Sequence, residues 1–286
     1  VLADGVREDI VHTPAGPLRT HTAPDWRGGG TVKRWITEPE DVERLLSIPY
    51  VPAEPDLTPV LDARGQEQWV VQMTFNDPIC VAALIDETVM ALWTIEHRDL
   101  LRAMLEEASR RILAELDYCL RNGAGPIYYF NGPEFALPPL MSPQDFEEFV
   151  VAYDRELVEL IHSYPETHVI IHSHGKVSAF LERFAAIGTD GLNVLEPPPL
   201  GDTDLADAKA RIGASVCLIG NIQYDDIARG TEASIEQLVD TAMAQGAPGG
   251  GFILSPCAYP YEQPLPERAA ANLIHYLKMG RKYGGY

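Results

Sequence analysis

The chain has 286 residues, of which 46% are hydrophobic and 8% aromatic, so it is long enough to bury a full hydrophobic core. Its formal net charge is −20, from 42 acidic and 22 basic side chains, which works against binding a nucleic acid or an anionic membrane surface. We therefore expect a small-molecule substrate, and neither nucleic acid nor membrane as a partner.

Cysteine usage and hydropathy indicate the compartment. Four cysteines are spread along the chain without a Cys-x-x-Cys motif, namely Cys80, Cys119, Cys217 and Cys257. A protein of this size does not depend on disulfides, so isolated cysteines indicate a reducing environment. The sequence has no run of about 18 apolar residues, the minimum for a membrane span, and no signal-peptide pattern. We expect a cytoplasmic protein.

The first 66 residues differ from the rest of the chain. Residues 9–24, DIVHTPAGPLRTHTAP, alternate polar and apolar side chains around a Pro-Ala-Gly turn, which predicts an antiparallel hairpin. Residues 37–50, TEPEDVERLLSIPY, have the start signals of a short helix. We interpret residues 1–66 as a hairpin and helix insertion, or flap, within a single barrel domain of residues 1–286.

From residue 67 onward, short apolar runs alternate with amphipathic stretches, as in βα units around a parallel sheet. The predicted strands are residues 68–75, 126–132, 168–174, 191–197, 215–221 and 250–256. The predicted helices are residues 80–92, 97–121, 142–163, 176–187, 203–212, 231–245 and 264–283.

The last four strands are spaced for one crossover helix each, which favours a (β/α)8 TIM-type barrel over an open sheet. A closed barrel has eight βα units and residues 67–286 supply six. We expect the other two before Val1, or as irregular segments of residues 1–66, so that the N-terminal part of the barrel is incomplete.

Polar side chains collect where the predicted strands end. In parallel α/β sheets, the carboxyl ends of the strands carry the chemistry. The side chains placed there are Asn76, Asp77, Asn131, Glu134, His172, His174, Glu196, Asn221, Gln223, Cys257 and Tyr259. We predict that five of them bind substrate: Asn76, Asn131, Asn221, Gln223 and Tyr259.

His172 and His174 end the same predicted strand. Residues i and i+2 of a strand point to the same side, so the two imidazoles can converge in the barrel mouth. With the thiolate of Cys257 they would form a three-ligand metal site with an open fourth position, as in catalytic zinc centres. The alternative is a pair of hydrogen-bonding histidines in a polar pocket without metal, with Cys257 as a small buried hydrophobe.

Two acidic residues are catalytic candidates. Glu134 follows Gly132-Pro133 and precedes the uncharged stretch FALPPLM, which resembles a loop folded over an active site. Its carboxylate could complete the metal site or act as a base. Glu196 stands before three consecutive prolines at another strand end. The alternative for both is an ordinary loop-surface or helix-capping acid.

Three segments resemble the uroporphyrinogen decarboxylase superfamily: IIHSHGKVSAFLERFAAIGTDGLNVLEP, GNIQ, and GGGFILSPCAYPYEQPLPERAAANLIHYLKMGRKYG. This superfamily includes zinc-dependent methyltransferases that deliver methyl groups to or from corrinoid proteins. The resemblance implies Zn²⁺ as a cofactor and a corrinoid on a partner protein. Those methyltransferases hold zinc with His-x-Cys and a later Cys; His172 and Cys257 match this pattern, whereas His174 replaces the first cysteine. Imidazole in place of thiolate makes the metal more Lewis acidic, which suits an ether oxygen or water better than a thiol.

The resemblance leads to one main hypothesis and two alternatives. The main hypothesis is a methyltransferase that moves a methyl group from a small O- or N-methyl compound to a corrinoid protein or similar acceptor, with zinc as Lewis acid. One alternative is a metal-free decarboxylase or lyase that uses His172, His174 and Glu134 as acid and base. Residues 1–66 have no arginine-rich segment, and the last strand-end loop, SPCAYP, has no histidine, which weakens the resemblance to the decarboxylase itself. The other alternative is a non-catalytic barrel that binds a small molecule.

Overall fold

The computed structural model describes residues 5–24, 30–64 and 70–283. Its N-terminal part forms a three-stranded antiparallel sheet of β1 (Arg7–Thr13), β2 (Gly16–Ala23) and β3 (Gly30–Lys33). The predicted hairpin is confirmed by the pairing of β1 with β2. The predicted short helix is α1 (Pro39–Leu46), and α2 (Thr58–Arg64) follows it. Neither β3 nor α2 was predicted from the sequence.

The main sheet has six parallel strands, adjacent in the order in which they occur along the chain. They are β4 (Gln72–Asn76), β5 (Ile127–Asn131), β6 (His168–Ser173), β7 (Gly191–Val194), β8 (Cys217–Ile222) and β9 (Phe252–Pro256). Strands that wind on in one direction are the arrangement of a TIM-type barrel. The part of the chain that the structure describes supplies six of the eight strands of such a barrel. The predicted first strand, residues 68–75, lies partly outside the described residues.

Helices alternate with these strands. They are α3 (Glu87–Glu96), α4 (Arg98–Arg121), α5 (Pro143–Phe146), α6 (Ala152–His162), α7 (Leu181–Ile187), α8 (Leu205–Ile212), α9 (Tyr224–Arg229), α10 (Glu232–Gly246) and α11 (Glu267–Arg281). A π-helical turn, Glu147–Val151, joins α5 to α6, and short 3-10 helices cover Pro78–Leu84, Pro133–Ala136 and Ser178–Phe180. None of the helices within the described residues is long and apolar enough to cross a membrane.

The predicted helix at residues 80–92 is wrong, because two elements occupy that stretch. A 3-10 helix, Pro78–Leu84, ends before Asp86. The Asp86 carboxylate then accepts hydrogen bonds from the backbone N–H groups of Thr88 and Val89, which satisfies free donors at the start of α3. The sequence also did not predict α9. Its six residues lie between β8 and α10 and have no helical spacing of apolar residues of their own.

The hydrophobic core lies between the sheet and the helices. Phe130, Ile171, Leu192 and Leu218, at outward positions of four successive strands, are each 2% exposed or less. Alternate residues of the same strands face the barrel interior. In the register of the sheet, Asn131 pairs with His172 and His172 with Asn193, so three polar residues form one interior layer near the carboxyl ends of β5, β6 and β7.

Candidate active site

The two histidines lie together at the carboxyl end of β6. Their rings are 4.7 Å apart between centroids and nearly perpendicular, at 83°. Both line a cavity of about 300 Å³ in the barrel mouth. Its other lining residues are Tyr129, Asn193, Val194, Ser255, Pro256, Cys257, Ala258, Tyr259, Pro260 and Leu273. Residues from β5, β6, β7 and the end of β9 therefore meet around one small space.

His172 is held by a triangle of short contacts. Its Nδ1 lies 2.6 Å from Asn193 Oδ1 and 2.6 Å from Tyr129 Oη, and the Tyr129 hydroxyl donates to the same Asn193 Oδ1 over 2.6 Å. Burial lowers the pKa of His172, against a smaller raising effect of its hydrogen bond to Asn193. The imidazole is therefore predominantly neutral near pH 7.

His174 is paired with a carboxylate. Its Nδ1 lies 3.1 Å from Glu196 Oε1, and Glu196 Oε2 accepts a hydrogen bond of 2.7 Å from the backbone N–H of Gly175. The hydrogen bond to Glu196 raises the pKa of His174 and outweighs the opposite effect of burial. Burial alone would raise the pKa of Glu196, but the hydrogen bonds from His174 and Gly175 bring it below its usual value. Adjacent histidines thus have pKa values moved in opposite directions.

Cys257 lies in the same cavity and is 1% exposed. Its Sγ donates a long, weak hydrogen bond to the Val194 carbonyl oxygen, at 3.7 Å. Burial raises the pKa of the thiol, and the negative charge of Glu196 adds to the effect. In the structure as it stands, Cys257 is a neutral thiol.

Glu134 lies in the 3-10 helix Pro133–Ala136, and its Oε2 is buried without a hydrogen-bond partner. Its negative charge raises the pKa of both His172 and His174, although burial dominates at His172. The acid predicted as a ligand or base therefore lies close enough to act electrostatically on both histidines.

Two further buried acids, Asp77 and Asp154, interact electrostatically with each other, and Asp77 also with Glu134. Asp77 is 1% and Asp154 is 3% exposed, and neither carboxylate oxygen of Asp154 has a hydrogen-bond partner. Burial raises the pKa of Asp154 to about 8. Burial, and then the charges of Asp154 and Glu134, raise the pKa of Asp77 well above its usual value. The carboxyl group of Asp154 is therefore mostly protonated at neutral pH.

The residues predicted to bind substrate are dispersed. Tyr259 lines the histidine cavity and is 88% exposed. Asn131 is half-buried in the same interior layer as His172. Asn76 is exposed in β4, and Asn221 lines a separate groove beside α9 and α10. Gln223 is buried and donates to the Pro197 carbonyl oxygen over 3.2 Å. The structure brings two of the five near the histidines.

Tyr129 and Asn193 were missed by the sequence reading. Both lie inside predicted strands rather than at strand ends, where the candidate site residues were placed. A period-two count would have found Tyr129, which is two residues before Asn131 and so faces the same side of β5.

The predicted metal ligands share a cavity without forming a ready-made site. Among the described residues, no group of three or more His, Cys, Asp or Glu side chains is arranged to hold a metal ion. His172 and His174 are close together, whereas the Cys257 thiol is turned to the Val194 carbonyl. In a three-ligand site, Cys257 would bind as a thiolate and would lose this hydrogen bond.

A sequence model of a protein family described as uroporphyrinogen decarboxylase (URO-D) matches residues 80–271. This chain belongs to the uroporphyrinogen decarboxylase family. The match includes both histidines, Glu134, Glu196 and Cys257, and it ends within α11. The family membership expected from the strand-end motifs is confirmed.

Curated relatives share low sequence identity with this chain, over part of its length. The uroporphyrinogen decarboxylase of Prochlorococcus marinus (strain AS9601) is 29% identical over 143 residues, which are 50% of this chain and 38% of the relative. The chloroplastic uroporphyrinogen decarboxylase 2 of Oryza sativa subsp. japonica is 24% identical over 184 residues, 64% of this chain and 43% of the relative. The chain thus spans less than half the length of these relatives.

A solved structure of a methyltransferase from Methanosarcina mazei is similar in fold. It superimposes with a TM-score of 0.64 over 91% of this chain and 73% of the methyltransferase, at 18% sequence identity. Identity this low shows the fold alone, and the predicted barrel class is confirmed by it.

Proposed function

We propose that this URO-D family protein is a methyltransferase that takes a methyl group from a small O- or N-methyl compound, with a corrinoid protein or similar acceptor as its partner. We further propose that His172, His174 and Cys257 hold a zinc ion. The observation that carries the proposal is that both histidines line one cavity with Cys257 while the Nδ1 atom of each is engaged by another residue.

The donor set fits zinc in its chemistry. Two imidazole nitrogens and one sulfur, with room for a fourth ligand, are what catalytic zinc takes in proteins. Metal-binding histidines commonly have their other ring nitrogen bonded to a carboxylate or amide, as Nδ1 is here by Glu196 and Asn193. When bound, zinc supplies Lewis acidity to the oxygen or nitrogen that loses the methyl group.

The side chains around the cavity suit a small substrate. A volume of about 300 Å³ is at the lower end for a ligand pocket. Val194, Pro256 and Leu273 give it apolar walls, which exclude water from the reacting group. Glu134 does not line the cavity, but its charge acts on both histidines and its buried Oε2 has no hydrogen-bond partner, so it can accept a proton. Tyr259, exposed beside the opening, can cover a bound molecule.

A metal-free lyase is the second candidate, and one observation favours it. A pair of titratable groups with pKa values moved apart is the usual arrangement of a general acid and a general base. His174, with its pKa raised by Glu196, would be the acid, and His172, with its pKa lowered by burial, would be the base. The curated relatives are decarboxylases.

Metal content separates the two candidates. Protein purified without added metal should contain about one zinc per chain, and Cys257→Ser should lose most of it, because a hydroxyl replaces thiolate poorly. Cys217→Ser is the matched control, since Cys217 lies in β8 outside the cavity, and it should retain zinc. His174→Cys should also retain it. Equal zinc in the parent and in Cys257→Ser, or none in either, would contradict the zinc site and favour the lyase.

Methyl transfer itself needs a direct assay. Zinc-loaded protein, a panel of small O- and N-methyl compounds and free cob(I)alamin as acceptor should yield methylcobalamin with at least one donor. Cys257→Ser should lower that rate far more than Cys217→Ser. Zinc binding without methyl transfer from any donor would count against this activity while leaving the metal site in place.

A further inference from the structure

We propose that Asn193 is a positioning residue that fixes His172 in the tautomer with its proton on Nδ1, which leaves the lone pair on Nε2. The proposal deepens the proposed function, on which its importance rests, because a zinc ligand or a general base needs that lone pair. The tautomer itself is a property of the metal-free protein and can be measured there.

The orientation of the Asn193 amide is set on its other side. Its Nδ2 donates to the Ile219 carbonyl oxygen of β8 over 3.3 Å. A flipped amide would bring Oδ1 against that carbonyl oxygen, two acceptors without a proton between them. The side chain is 7% exposed, so bulk water does not compete for these positions. Asn193 therefore presents Oδ1, which can only accept, to His172 and Tyr129.

Counting protons then decides the tautomer. The triangle of Asn193 Oδ1, His172 Nδ1 and Tyr129 Oη has three sides of 2.6 Å. With a proton on Nδ1, the imidazole donates to Oδ1 or Oη and the tyrosine hydroxyl donates to Oδ1. With a bare Nδ1, its lone pair would face that of Oδ1 at 2.6 Å, and the tyrosine proton could serve only one of them.

Tyr129 has a secondary part in this arrangement. Its hydroxyl both donates and accepts, so it can adapt to either tautomer of His172. Asn193 Oδ1 cannot adapt, and so it determines where the imidazole proton lies. A neutral imidazole has one proton shared between two possible ring positions, so the two tautomers are true alternatives.

Nitrogen NMR of ¹⁵N-histidine-labelled, metal-free protein reports the tautomer, with His172→Gln to assign the signal. In the parent, Nδ1 of His172 should be protonated and Nε2 should not. Asn193→Leu should move the proton to Nε2, because Tyr129 is then free to donate to Nδ1. Asn193→Asp keeps the acceptor and should restore the parent tautomer. Asn131→Leu, in the same layer on the other side of His172, is the matched control and should leave the tautomer unchanged.

Zinc affinity is the second measurement, made with Zn²⁺ alone. Asn193→Leu should weaken binding about 10- to 100-fold, the usual effect of losing a residue that orients a metal ligand, and Asn193→Asp should not. A proton on Nε2 in the parent would overturn the positioning role, and so would Asn193→Leu with its proton still on Nδ1. The parent measurement needs no variant to fold. A parent that binds no Zn²⁺ but has the Nδ1 proton supports the positioning role and overturns the zinc site alone.

Discussion

Replacement of Asp154 by Asn should flatten the dependence of stability on pH. Asp154 is 3% exposed, neither of its oxygens has a hydrogen-bond partner, and burial raises its pKa from 3.8 to about 8. In the unfolded chain the carboxyl group loses its proton near pH 4. Between pH 4 and pH 8 the folded state therefore holds a proton that the unfolded state has lost, and the free energy of unfolding falls as pH rises.

The size of the effect follows from the pKa difference. One pKa unit corresponds to 1.36 kcal/mol, so the shift of Asp154 amounts to about 6 kcal/mol between pH 4 and pH 8. Below pH 4 both states are protonated and the penalty is absent. Asn has nearly the same shape and cannot ionise, so Asp154→Asn removes this contribution at every pH. The unpaired amide costs about 1–3 kcal/mol, but equally at all pH values.

Guanidinium chloride unfolding, followed by circular dichroism at pH 5, 6, 7 and 8, measures this directly. The parent should lose roughly 1 kcal/mol or more per pH unit, and Asp154→Asn clearly less. Asp77 keeps part of the slope in the variant, since its pKa is raised as well. Asp62→Asn, at an exposed position in α2, should keep the parent slope. Identical slopes in the parent and Asp154→Asn would refute the reasoning.

Two further changes test the mouth of the barrel. Glu196→Gln should lower the pKa of His174, measured by NMR titration, because the carboxylate raises it. The stabilisation from this pair is complete between pH 4.5 and pH 6.5, the ordinary pKa values of the two groups; it disappears as pH rises through the raised value of His174 and as pH falls through the lowered value of Glu196, so the variant should lose most stability within that window. An unchanged His174 titration would contradict the pairing. Gly132→Ala should destabilise by about 3 kcal/mol or more in thermal unfolding, since its Cβ would lie 1.9 Å from Asp77 Oδ1 at a φ of +145°. Gly249→Ala is the control: nothing lies within 4 Å of its Cβ, so it should lower the free energy of unfolding by only about 1 kcal/mol. Equal destabilisation by both variants would argue against the close packing of Asp77 on Gly132.

The sheet could be predicted because its signals are local. Each strand from β5 to β9 is an apolar run followed by polar or small residues, and the observed bounds lie within three residues of those predicted. The break at Asp86 was not predicted, because apolar spacing continues across it and only the capping hydrogen bonds show where α3 begins. The spacing of apolar residues along the chain indicates which face of an element is buried. The start of a helix depends instead on whether a single side chain can accept hydrogen bonds from the free backbone N–H groups there.

Part of the candidate site could be predicted because strand-end position is also a local signal in the sequence. Strand-end position identifies the edge of the sheet at which a residue lies, and this placed His172, His174 and Cys257 in one cavity. Strand-end position does not give the direction in which a side chain points. It therefore did not reveal that Asn221 lines a separate groove and that Gln223 donates to the Pro197 carbonyl oxygen. Asp77 follows β4 and Asp154 lies in α6, far apart in sequence, and only packing reveals them as a pair.

The histidine at position 174 does not act alone in the proposed zinc site. Imidazole in place of thiolate removes a negative charge from the ligands and leaves the metal more Lewis acidic. Glu196 returns part of that charge, because its carboxylate accepts from His174 Nδ1 and makes the imidazole a stronger donor. Glu196 is itself fixed by the Gly175 N–H, so it cannot easily turn away. Glu196→Gln should therefore weaken Zn²⁺ binding in the parent but have little effect in the His174→Cys background, where no imidazole remains for the carboxylate to polarise.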